Sequence, residues 1–119
     1  MKFDREIVYA LAQKELSAGK EAKEIGNLGK ARVCARRGCG LAIEYWLQFN
    51  PNKIWGSSAI SMLSNLKDDL AMPEEIRDAA VRLTRKVDQN FETGVEEDPI
   101  NDGEAIIKYF LDNEDSKER

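Results

Sequence analysis

Apolar residues return at steps of three and four in five successive stretches of the chain, with polar or turn-forming residues between them. The clearest stretch runs from Leu28 to Phe49, where Leu28, Ala31, Ala35, Gly38, Ala42, Tyr45 and Phe49 form one stripe. That rhythm predicts a helix packed inside a bundle. The stripe is small in its middle, so a neighbouring helix can approach closely, and aromatic at its C-terminal end. At 100° per residue, Gly40 falls roughly opposite Gly38, beside Val33, Arg36, Arg37, Glu44 and Leu47. A glycine inside a helix costs about 1 kcal/mol relative to alanine. Close helix approach explains Gly38, and the second glycine marks Val33, Gly40, Glu44 and Leu47 as a face for a second copy or another partner.

The remaining stretches read in the same way. Asp4 caps a first helix to about Ile25, with a stripe of Ile7, Leu11, Ala18, Ala22 and Ile25 that Val8, Ala12 and Leu16 widen. Gly26-Asn27 stops that helix and caps the next. After the Asn50-Pro51-Asn52 turn, Ser57 or Ser58 caps a third helix carrying Ala59, Leu63, Leu66 and Leu70. A fourth begins at Pro73-Glu74-Glu75 and carries Ile76, Ala80, Leu83, Val87 and Phe91, ending before Gly94. Asn101 with Glu104 reads as a capping box for a last helix, Asp102 to about Asn113. No stretch shows sustained strand alternation and no repeat is visible. The expected fold is all-α: an up-and-down bundle of about five helices forming a single domain over residues 1–113, with a polar tail at 114–119.

Composition narrows the chemistry. The 119 residues are 42% hydrophobic and 34% charged, enough to bury a core under well-solvated helix faces. No apolar run approaches the roughly 18 residues of a membrane span, and the charged N-terminus lacks the apolar region of a signal peptide. A cytoplasmic protein is expected. Cys34 and Cys39 lie about 140° apart on one helix and cannot bridge each other, so they read as small buried residues in a reducing compartment. There is no histidine. Most zinc, catalytic-triad and acid–base templates are thereby removed, and neither a metal site nor a cofactor is expected.

The order of elements resembles the HEPN superfamily, small helical bundles of prokaryotic toxin, defence and nucleotidyltransferase-linked systems. The resemblance spans about Arg5 to Asp112. It rests on REIVYALAQKELSAGKEAKEIGN, on the small-and-basic GKARVCARRGCGLAIEYWL, and on AISMLSNLKDD, EEIRDAAVRLTRKV and DGEAIIKYFLD. Ribonuclease members of that family use an Arg-x(4–6)-His motif. Arg82 and Arg85 stand on the fourth helix here, but no histidine follows, so no catalytic residue is assigned. What the resemblance implies is a homodimer built on helix faces, and a nucleotide, an RNA or a protein such as a nucleotidyltransferase as partner.

The candidate ligand site is the basic cluster Lys30, Arg32, Arg36 and Arg37. These cations meet one acid, Glu44, between residues 28 and 49, whereas residues 88–119 hold eleven acids and three bases. Arg36 and Arg37 can grip an anion through bidentate hydrogen bonds. Alternatively the arginines pair with the acidic C-terminal segment of the same or a neighbouring subunit, or are simply solvated. GNLGKA only faintly echoes a phosphate loop and lacks its Ser or Thr. The acidic stretch Glu96-Glu97-Asp98 with Asp102 departs from calcium-loop spacing and reads as a solvated loop. The expected function is a non-catalytic, HEPN-like binding or regulatory module, homodimeric, with an anionic ligand on the second helix. The alternatives are a protein–protein adaptor, or an RNA-processing enzyme in which Tyr45 or Lys30 replaces the missing base.

Overall fold

In the computed structural model, residues 4–85 and 98–112 are described, and they form five helices packed into one bundle: α1 (Arg5–Glu24), α2 (Leu28–Leu47), α3 (Ala59–Asp68), α4 (Glu74–Thr84) and α5 (Pro99–Asp112). Among the described residues there is no strand. The caps of the first two helices follow the sequence. The Asp4 carboxylate accepts the Ile7 N–H at 2.9 Å, and the Asn27 side chain accepts the Lys30 N–H at 3.0 Å. Between them Gly26 takes φ = +82°, a left-handed conformation that a side chain disfavours. The chain therefore turns back at once, and α1 and α2 run antiparallel. A Cβ on Gly38 would lie 3.4 Å from the Ala12 carbonyl oxygen and 3.0 Å from Ile107. The small middle of α2 thus lets α1 and α5 approach closely.

The buried stripe of α1 differs from the expected one. Val8, Ala12, Leu16, Gly19 and Ala22 face the core, while Ile7 (46%), Leu11 (37%) and Ile25 (81%) remain exposed. The two stripes are neighbouring strips of one helix, and the glycine that allows close packing, Gly19, belongs to the Val8 strip. A Cβ there would meet Ile100 at 2.7 Å and Cys34 at 3.2 Å.

At the other end of the bundle the aromatic half of α2 fills a wider gap. Trp46 is fully buried, with ring centroids of Trp55 and Phe110 at 5.2 and 5.1 Å. Burying a side chain of this size stabilises the fold by about 2–3 kcal/mol. In α3, Ser58 is the cap, in a reciprocal box with Ser61. Met62, Leu63 and Leu66 are buried, but Leu70 is 80% exposed because the helix ends before it.

Helices α4 and α5 differ from expectation at their junction. Helix α4 ends at Thr84, with Arg85 already extended (ψ = 140°); Val87 and Phe91, expected on this helix, lie outside the described residues. Helix α5 starts at Pro99 rather than Asp102. Its cap is Asp98, whose carboxylate accepts the Ile100 and Asn101 N–H groups at 3.0 and 3.4 Å. Proline at the first helical position lacks only a donor that would be unpaired anyway, so Asp98-Pro99 outcompetes the Asn101–Glu104 pattern.

Candidate functional site

The four cations of α2 diverge. Arg32 is buried, and its Nη2 donates to the carbonyls of Arg82, Leu83 and Arg85 at 3.1, 3.2 and 2.8 Å. One turn further on, Arg36 donates from Nε to the same Leu83 carbonyl at 2.7 Å. The last carbonyls of a helix have no partner within it and carry the negative end of its dipole. Two guanidinium groups from α2 therefore cap the C-terminus of α4 from the side. Burial lowers the Arg36 pKa, and the neighbouring charge of Arg32 lowers it further. Arginine remains charged in proteins nonetheless, so both groups stay cationic against these carbonyls.

A second pairing adjoins this latch. Arg82 binds the buried Asp102 of α5 in a bidentate fork, with Nε at 3.1 and 3.0 Å from the two oxygens and Nη2 at 2.9 Å. Next to it the Cys39 thiol points at the Gly103 carbonyl, 3.8 Å away. Burial, and then the Asp102 charge, push that thiol well above its ordinary range, which removes it as a nucleophile at neutral pH. The arrangement ties α2, α4 and α5 together at one corner.

Lys30 and Arg37 point outward instead. Lys30 is exposed, and the Arg37 side chain, 63% exposed, holds its guanidinium 4.0 Å from the Glu15 carboxylate of α1. The expected partner face divides as well. Val33 and Glu44 are exposed, but Leu47 packs against the core and Gly40 faces α3, where a Cβ would meet that of Ala59 at 3.1 Å. The close approach that Gly40 permits is thus made within the chain. Alongside runs an open groove of about 280 Å³, lined by Glu15, Arg37, Leu41, Glu44, Ser57 and Met62 among others. Two carboxylates face one guanidinium there, which is a poor cradle for an anion.

Of the acidic stretch, Glu96 and Glu97 lie outside the described residues. Asp98 forms an ion pair with Lys23 at 2.8 Å, and Asp102 is held by Arg82. Among the described residues no three metal-ligating side chains gather, and no helix is long and apolar enough to cross a membrane. Tyr45, considered above as a base, is buried with its ring against Phe49, centroids 5.2 Å apart.

The latch was missed at the level of sequence, although a signal for it exists. Arg32, Arg36, Cys39 and Ile43 follow one another at steps of four, three and four, so an inward strip runs directly into the two arginines. No family model, curated protein or solved structure matches this chain.

Proposed function

We propose that this chain is a non-catalytic, HEPN-like binding or regulatory module of the cytoplasm that works as a homodimer and meets its partners through its outer helical surface. The observation that carries this reading is the inward commitment of Arg32 and Arg36. Half of the basic cluster that pointed to an anionic ligand is occupied with the end of α4. One outer face of α1, by contrast, carries Ile7, Leu11 and, at its end, Ile25, each 37–81% exposed. Apolar side chains that recur along one helix face favour a protein contact. The absence of histidine supports a non-catalytic role, and two free thiols suit a reducing compartment.

A second reading, an RNA or nucleotide ligand, is favoured by one observation: Lys30 and Arg37 are both exposed on the outer side of α2, two turns apart. Fluorescence anisotropy of labelled single-stranded RNA and labelled ATP separates the two. The proposal expects no saturable binding of either probe at low or moderate salt. Salt-sensitive binding that vanishes in Lys30→Glu/Arg37→Glu would replace it with the anion reading.

A further inference from the structure

The groove beside α2 combines an apolar floor with unequal charges on its walls. Arg37, Leu41 and Glu44 follow at steps of four and three, so they share the outer face of α2. Glu15 of α1 and, from the start of α3, Ala59 and Met62 add to the lining. A Cβ on Gly40 would meet Ala59 at 3.1 Å and the Met62 methyl at 3.6 Å, so the floor is helix backbone and small apolar groups. The ionic groups do not satisfy one another. Arg37 reaches Glu15 only at 4.0 Å, the outer limit of an ion pair, and the Glu44 carboxylate has no ion-pair or hydrogen-bond partner among the described residues. Two carboxylates against one guanidinium leave one negative charge, of which the N-terminal end of α3 offsets only about half.

We infer that this groove takes the basic side chain, lysine or arginine, of a protein partner. The inference rests on the partner-binding reading above and names the chemistry of the contact. Such a side chain lays its methylene stem on Leu41 and Met62 and turns its cationic head toward Glu15 and Glu44. Arg37, long and 63% exposed, gives up a contact of little worth and swings into solvent. An acidic side chain would instead meet two carboxylates, which like charges oppose. The size agrees. At about 280 Å³ the groove falls just below the roughly 300–1,000 Å³ of a small-molecule pocket, which suits one long side chain better than a nucleotide.

The test is an NMR titration of the full-length protein at low salt, read from amide and methionine-methyl shifts. The probes are acetyl-lysine methylamide and its arginine counterpart, with the neutral norleucine counterpart as control and putrescine as a free diamine. Saturable shifts are expected at Gly40, Leu41, Ala59 and Met62 with the two basic amides and none with norleucine. Glu15→Gln and Glu44→Gln should each weaken binding by about threefold, the worth of an exposed ion pair. Arg37→Gln removes the competing cation and should strengthen binding by a similar factor. Weaker binding in Arg37→Gln, equal shifts with norleucine, or equal shifts along the exposed Glu74, Glu75 and Asp78 of α4 would each overturn the inference. Putrescine binding about tenfold tighter than either amide would assign the groove to a free diamine and overturn the protein partner. No saturable shift with either basic amide overturns the groove's assignment and leaves the binding-module reading standing, since RNA and ATP test that reading separately.

Discussion

Asp98 serves two helices with one carboxylate. It caps α5 through the Ile100 and Asn101 N–H groups and binds Lys23 at the C-terminal end of α1. Partial burial pushes its pKa upward, but the hydrogen bond from Lys23, the two backbone donors and the Lys23 charge outweigh this and hold it below the usual carboxylate value. A carboxyl whose pKa is depressed on folding contributes stability that is complete above its unfolded value and is lost as pH falls through the folded one. The midpoint of urea unfolding should therefore drop as pH is lowered through the carboxylate range. In Asp98→Asn this drop should be shallower. Asp98→Ala should cost about 1 kcal/mol at neutral pH, the usual worth of a helix cap. A variant with parental stability would show that Pro99 alone sets the start of α5. The caps at Asp4 and Asn27 were legible because each is a single strong signal at a helix start, whereas two adjacent serines left the third between Ser57 and Ser58. At α5 two signals competed within four residues, and propensity alone does not rank them.

At the scale of elements, the corner where α2 meets α4 and α5 holds the most buried polar chemistry. Arg32→Met keeps much of the side-chain volume but removes the donor shared by the carbonyls of Arg82, Leu83 and Arg85, of which Leu83 keeps Arg36. The expected cost is about 1.5–3 kcal/mol, the worth of hydrogen bonds from a charged group. It would be read from denaturant midpoints, with faster amide hydrogen exchange in the last turn of α4. Arg37→Met, at an exposed position with one 4.0 Å ion pair, should stay within about 0.5 kcal/mol of the parent. Equal effects of the two substitutions would refute the latch. The existence and order of all five helices could be read from periodicity, because each has an apolar face, but the end of α4 and the start of α5 could not. Which of two adjacent strips of α1 turns inward could not, since Ile7-Leu11 and Val8-Ala12 are both apolar. Nor could the destination of Arg32, because its acceptors are backbone atoms some fifty positions away.

For the molecule as a whole, one core runs through all five helices, from Val8 in α1 to Leu111 in α5. Both thiols lie inside it: Cys34 is 2% exposed and Cys39 fully buried. If the bundle opens as one unit, both should resist an aromatic disulfide reagent at neutral pH and react together, two per chain, when denaturant unfolds the protein. Rapid reaction of one thiol in the native protein would instead reveal local opening between α2 and its neighbours. Such partial opening is what the latch opposes, since Arg32 and Arg36 span from α2 to the end of α4.

That latch holds α4 by its backbone. Every residue type offers the same carbonyl, so exchanging Thr84 or Arg85 for another residue leaves the acceptors where they were. Inserting or deleting a single residue within α4 would swing its last carbonyls by about 100° around the helix axis, away from both guanidinium groups. On its acceptor side the latch thus counts positions without reading letters: it permits drift in composition at Thr84 and Arg85 and forbids any change in length.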